Sequence, residues 1–98
     1  MTNGRFTIVA EYRGGNYVSQ FLASSECEAA WRWTEHLKAE RPIPRSSSYL
    51  AKAVAAELAE RPPVPLDGLS DVWCVLAVCG GDLMIANIIE SVPVGNGS

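Results

Sequence analysis

The side chains of this sequence that could take part in chemistry are few and scattered. His36 is the single histidine, so a histidine-based metal cluster is excluded, and a general base here would need a partner that no motif supplies. Cys74 and Cys79 lie five residues apart in one predicted strand, so their side chains point to opposite faces and cannot bind one metal ion together. Buried packing is the expected role of both thiols.

The glycine pairs and the serine run favour structural roles. Gly14–Gly15 and Gly80–Gly81 match neither GxGxxG nor GxxxxGK[ST], and neither leads from a strand into a helix, which predicts turns. No histidine or lysine in a local motif could activate Ser46–Ser48, so helix capping is expected there. Asn87 interrupts an apolar strand and marks an edge, a cavity or a structural hydrogen bond. We therefore predict no catalysis, no metal and no cofactor.

Length and composition indicate one domain spanning residues 1–98. A chain of 98 residues with 48% hydrophobic and 19% charged residues is typical of a single globular core. Eleven acidic residues against eight basic ones give a net charge of -3, which disfavours nucleic acid and acidic membranes as partners. Three cysteines without CxxC spacing argue against disulfides, and no segment reaches the ~18 apolar residues of a membrane span. A cytoplasmic location is expected.

Two hairpins are predicted to flank two helices. Residues alternate in polarity over 5–12 and again over 17–23, around the glycine-containing turn 13–16, which predicts an antiparallel pair. The run 72–79 is almost entirely apolar, as in a strand that is covered on both faces or central in its sheet, and Leu83–Val92 follows Gly80–Gly81 as the last strand. We expect residues 1–4 and 93–98 to be frayed.

Capping signals and prolines delimit the two helices. Ser25-x-x-Glu28 fits a capping box, which predicts a helix from there to about Glu40. The prolines of segment 41–45 make a stiff connector, and a second helix should run from Ser46–Ser48 to Arg61. The fold class predicted is α+β, with a four-stranded, mainly antiparallel sheet in ββααββ order and both helices packed on one face.

Two tryptophans on the first helix indicate a binding surface. Trp31 and Trp33 lie about 200° apart around the helix axis, so both rings cannot be wholly buried. Trp31 lies closer to the acidic side, near Glu28 and Glu35. An exposed tryptophan between carboxylates is typical of a hot spot for a basic protein partner. We therefore predict that Glu28, Trp31 and Glu35 bind a partner; the alternative is that Trp31 drapes over the edge of the core.

The segment Tyr12-Arg13-Gly14-Gly15-Asn16-Tyr17-Val18-Ser19-Gln20, followed by Ala29-Ala30-Trp31 on the next helix, resembles small bacterial immunity proteins of contact-dependent growth inhibition and related toxin systems. The likeness covers the first third of the chain and includes no catalytic signature. It implies a cytoplasmic, stoichiometric inhibitor that covers the active site or substrate-binding surface of a cognate toxin domain, often a nuclease. A basic nuclease surface would also suit the acidity of this chain.

Two other interpretations remain open at the level of sequence. One is a structural or regulatory homo-oligomer, such as a homodimer, in which the apolar last strands pair across a two-fold axis. The other is a small ligand-binding domain or enzyme with an unrecognised pocket. A toxin gene immediately upstream would favour the immunity protein, and the mass of the isolated chain in solution would identify the oligomer.

Overall fold

A computed structural model describes residues 3–91 and shows two helices packed on an antiparallel sheet. The elements are β1 Gly4–Tyr12, β2 Gly15–Ala23, α1 Glu26–Glu40, α2 Ser47–Glu60, β3 Val64–Pro65, β4 Val72–Cys79 and β5 Asp82–Ser91. Among the residues expected to be frayed, Gly4 is the first residue of β1 and residue 3 precedes that strand. Residues 1, 2 and 93–98 lie outside the described residues. Neither helix is long and apolar enough to cross a bilayer.

The sheet has five strands in the order β2-β1-β5-β4-β3, and every neighbouring pair is antiparallel. The α+β class, the two helices and the antiparallel pairing are as predicted, but the strand number of four is wrong. The additional strand, β3, pairs Val64 with Cys74 and Pro65 with Trp73. Two residues are too few to show a period-two pattern, and proline is tolerated here because β3 is an edge strand.

The core lies between the helices and one face of the sheet. α1 packs on β1, β2 and β5, and α2 packs on β4 and on α1. The alternating pattern of β1 places every second side chain toward the helices. Those buried side chains are Phe6, Ile8, Ala10 and Tyr12 from β1, Val75 and Ala77 from β4, and Met84, Ala86 and Ile88 from β5. From the helices, Trp33, Leu37, Leu50 and Val54 complete this layer, each at most 1% exposed.

The two helices begin in different ways. At α1 the Ser25 hydroxyl accepts a hydrogen bond from the Glu28 amide at 3.1 Å, as the capping box predicts. The Glu28 carboxylate reaches back to the amide and hydroxyl of Ser24. At α2 the predicted capping by serine is wrong for Ser46, whose side chain makes no cap bond. Ser47 instead bonds both the amide and the carbonyl of Ile43, which fixes the proline-containing connector.

Both hairpins turn at the same end of the sheet and are clamped together there. Arg13 donates from Nε to Asp82 Oδ2 at 2.7 Å, and the Tyr12 hydroxyl donates to the Cys79 carbonyl at 2.8 Å. The first turn places positive φ at Arg13 (50°) and Gly14 (79°), so Gly15 belongs to β2 and not to the turn. These contacts join residues almost 70 positions apart because β1 and β5 are neighbours.

Candidate protein-binding surfaces

The face of the sheet opposite the helices is not covered by any element within residues 3–91. Its side chains are Asn16, Val18, Gln20 and Leu22 from β2, Arg5, Thr7, Val9 and Glu11 from β1, Leu83, Ile85, Asn87, Ile89 and Ser91 from β5, Val72, Cys74, Leu76 and Val78 from β4, and Val64 from β3. We call this set the open sheet face. The sequence left open whether strand 72–79 is covered on both faces or central in its sheet. β4 and β5 both lie inside the sheet, with a neighbouring strand on each side, and the outward-pointing half of their side chains is not covered within residues 3–91.

Large apolar side chains dominate the open sheet face. Val18 is 64% exposed, Val78 66% and Leu83 52%, and the other exposed large hydrophobic residues here are Leu22, Val64, Leu76 and Ile89. The register makes part of this surface continuous, since Leu76 pairs with Ile85 and Val78 pairs with Leu83. Contiguous exposed apolar patches larger than a few hundred Å² are typical of interaction sites.

Asn87 occupies the middle of this face. It lies on the central strand β5, between Val9 of β1 and Cys74 of β4, so it does not mark a sheet edge. Its side chain is half-buried. The amide supplies both hydrogen-bond donors and an acceptor within an otherwise apolar region, which would add direction to any contact made there.

The sequence carried a signal for this surface. In a sheet with one face packed and the other solvated, apolar and polar residues alternate, as in β1. In β4 the side chains that point to either face of the sheet are apolar. Val75 and Ala77 point into the core and fill it, whereas Leu76 and Val78 point away from it. An all-apolar strand in a sheet with helices on one face therefore indicates a second layer that residues 3–91 do not supply.

The three predicted partner-binding residues lie together on α1. Glu28, Trp31 and Glu35 are spaced by three and four residues, so they form one stripe along the helix surface. Trp31 is 39% exposed and Trp33 is 1% exposed, which confirms that only one of the two rings is buried. We call these three residues the helix-one stripe.

Basic neighbours pair with both carboxylates of the helix-one stripe. Arg32 Nη2 lies 3.3 Å from Glu28 Oε2, and Lys38 Nζ lies 3.7 Å from Glu35 Oε2. The amide of Ser24, then its hydroxyl, and more weakly Arg32 hold the pKa of Glu28 below its usual range. Glu28 is therefore engaged in helix capping, a role that competes with partner binding, whereas the Glu35 side chain is 73% exposed and more available.

The histidine and the cysteines have structural surroundings. His36 is half-buried and meets the Phe21 ring edge-on, with ring centroids 5.6 Å apart. Cys74 and Cys79 are half-buried rather than fully buried as expected, Cys27 is half-buried as well, and partial burial raises the pKa of the Cys74 thiol. In the described part of the chain, no three His, Cys, Asp or Glu side chains are grouped so as to hold a metal ion.

A cavity of about 330 Å³ lies where the end of α2 meets the β3–β4 edge. Its apolar lining comes from Pro62, Val64, Leu66, Cys74, Val75 and Leu76. The two charged side chains at its rim pair with each other, Arg61 Nε lying 3.0 Å from Glu57 Oε2. No unpaired charge of the lining is thus left to orient a polar ligand, and through Val64 and Leu76 the cavity continues into the open sheet face.

Comparison with known proteins identifies no relative. No protein-family model matches this sequence, and no curated protein or solved structure shows a significant match. The open sheet face and the helix-one stripe are therefore the two features of the molecule that bear on its function.

Proposed function

We propose that this chain is a non-catalytic protein-binding module and that the open sheet face is one of its interfaces. The observation that carries the proposal is the exposure of Val18, Leu76, Val78 and Leu83 on the same side of the sheet. Exposed aliphatic side chains gain ~25 cal/mol for each Å² of apolar surface removed from water, so a second protein layer would bind here favourably.

We further propose, from the sequence resemblance, that the chain acts in the cytoplasm as an immunity protein that neutralises a basic toxin domain, such as a nuclease. The net charge of -3 supports attraction to a basic partner. Helix α1 contributes to that charge with four carboxylates, Glu26, Glu28, Glu35 and Glu40, against the basic Arg32 and Lys38. The helix-one stripe, with Trp31 as its apolar anchor, is the proposed contact with the toxin.

The test is binding of the purified chain to the toxin domain encoded immediately upstream, measured as association and dissociation rates at low and high salt. Trp31→Ala should weaken binding by ~2–4 kcal/mol through faster dissociation, because a buried aromatic anchor is lost. Glu35→Ala should mainly slow association and flatten its salt dependence, because an exposed carboxylate steers the encounter.

Tyr49→Ala is the matched control, since Tyr49 is an aromatic residue on α2 that is 66% exposed. It should leave the toxin affinity unchanged. Each variant is first checked by thermal melting, particularly Glu28→Ala, because Glu28 also caps α1. If the folded triple variant Glu28→Ala, Trp31→Ala, Glu35→Ala binds as tightly as the parent, the helix-one interface is wrong. If the parent does not bind the toxin at all, the immunity assignment is wrong.

A further inference from the structure

The open sheet face carries two charged side chains, and they have opposite signs. Arg5 lies at the start of β1 and Glu11 near its end; both are exposed, and neither forms an ion pair within the described residues. They lie six positions apart along an extended strand, a distance of about 20 Å. Every other side chain on this face is uncharged, so the face has no net charge and a sign that reverses along β1.

We infer that the occupant of the open sheet face is a second copy of this chain, packed face to face about a two-fold axis. The axis runs between the two sheets and parallel to them, perpendicular to β1, and passes over the point midway between Arg5 and Glu11. The β1 strands of the two copies therefore lie over each other and run in opposite directions. Arg5 of one copy then lies above Glu11 of the other, and the same pair forms again by symmetry. The inference rests on the proposed role of this face as an interface and names the partner.

The size of the face agrees with a reversible dimer. Four strands of 8–10 residues at ~3.3 Å per residue and ~4.8 Å between strands cover about 500 Å² in projection. The accessible area of a surface with protruding side chains exceeds its projection, which brings it to the lower end of specific interfaces, about 600 Å² per partner. We therefore expect a dissociation constant in the micromolar range.

The dimer would leave the helix-one stripe free. Both helices lie on the opposite side of the sheet from the proposed contact, so each copy keeps Trp31 at the outer surface. The product is a four-layer particle in which two sheets form the centre and each copy can bind its own toxin domain. Two aligned sheets packed about 10 Å apart form the interior of ordinary β-sandwiches.

Charge reversal distinguishes a second copy from any other partner. Arg5→Glu or Glu11→Arg alone turns both inter-copy pairs into like-charge contacts, so each variant should self-associate about tenfold more weakly than the parent. An equimolar mixture of the two variants should form a heterodimer as tight as the parent dimer. In that heterodimer the introduced glutamate of one variant meets the introduced arginine of the other, and the remaining native Glu11 meets the remaining native Arg5. The double variant should also recover self-association.

The measurement is sedimentation equilibrium from 1 µM to 1 mM, about three decades around the expected dissociation constant, with thermal melting of each variant. Lys52→Glu is the control, since Lys52 is exposed on α2 and away from the face; it makes the same change in charge as Arg5→Glu and should leave the mass unaltered. A parent that stays monomeric throughout, or a mixture that associates no better than its components, overturns the inference. A monomeric parent that still loses toxin binding on Leu76→Lys would show that the open sheet face is an interface, but with a different protein.

Discussion

Two identical substitutions in one strand should differ sharply in their effect on stability. Val75 and Val78 both belong to β4, but Val75 is 4% exposed under α2, whereas Val78 is 66% exposed on the open sheet face. Val→Thr conserves the shape of the side chain and replaces one methyl group with a hydroxyl. At position 75 that hydroxyl is buried, which should lower the free energy of unfolding by ~1–3 kcal/mol. At position 78 it stays in water, so the change should lie within ~0.5 kcal/mol.

Urea unfolding followed by circular dichroism, at a protein concentration well below that of self-association, measures both values. Each kcal/mol should also lower the melting temperature by roughly 4–8 °C for a domain of this size. At high concentration Val78→Thr should become destabilising as well, because the parent gains stability from dimer formation and the variant gains less. Equal losses at positions 75 and 78 under dilute conditions would refute the assignment of the two faces.

Three further predictions concern single side chains. Leu37→Ala should cost ~2–5 kcal/mol because it opens a cavity beneath α1, whereas Leu22→Ala, at a residue 57% exposed, should cost at most ~0.5 kcal/mol in dilute urea unfolding. Ser25→Ala removes the acceptor for an amide of the first turn of α1 and should cost ~0.5–2 kcal/mol by the same assay. Burial, and then the side chain of Cys79, raise the pKa of Tyr12. The stability that this shift provides is therefore complete below pH ~10 and is lost above it. The free energy of unfolding should accordingly fall less steeply with rising pH in Tyr12→Phe than in the parent.

Local patterns predicted most of the fold because each depends on neighbouring residues. The alternation of Phe6, Ile8 and Ala10 with polar residues identified β1, and the serine and glutamate spacing identified the start of α1. The period of the helix also placed Trp31 at the flank of the buried arc. Pairings between distant residues could not be predicted in this way. The Arg13–Asp82 clamp exists only because β1 and β5 are adjacent, a property of the strand order.

The exposed side of β4 has a different cause. Its apolar sequence is typical of a strand that is covered on both faces or central in its sheet; β4 is internal, and Leu76 and Val78 nevertheless remain exposed. A sequence records how much surface is to be buried but not which molecule covers it. Both faces of β4 are apolar, although the elements within residues 3–91 cover only one, which is the reason the open sheet face leads to a binding hypothesis.

The most direct test of the open sheet face as an interface is a concentration series followed by methyl NMR. The methyl signals of Val18, Leu76 and Leu83 should shift progressively as the chain is concentrated from micromolar to millimolar, whereas those of Leu50 and Val54, buried under the helices, should stay constant. Shifts confined to the helices, or open-face methyl signals that change neither with concentration nor on addition of the toxin domain, would contradict the proposal.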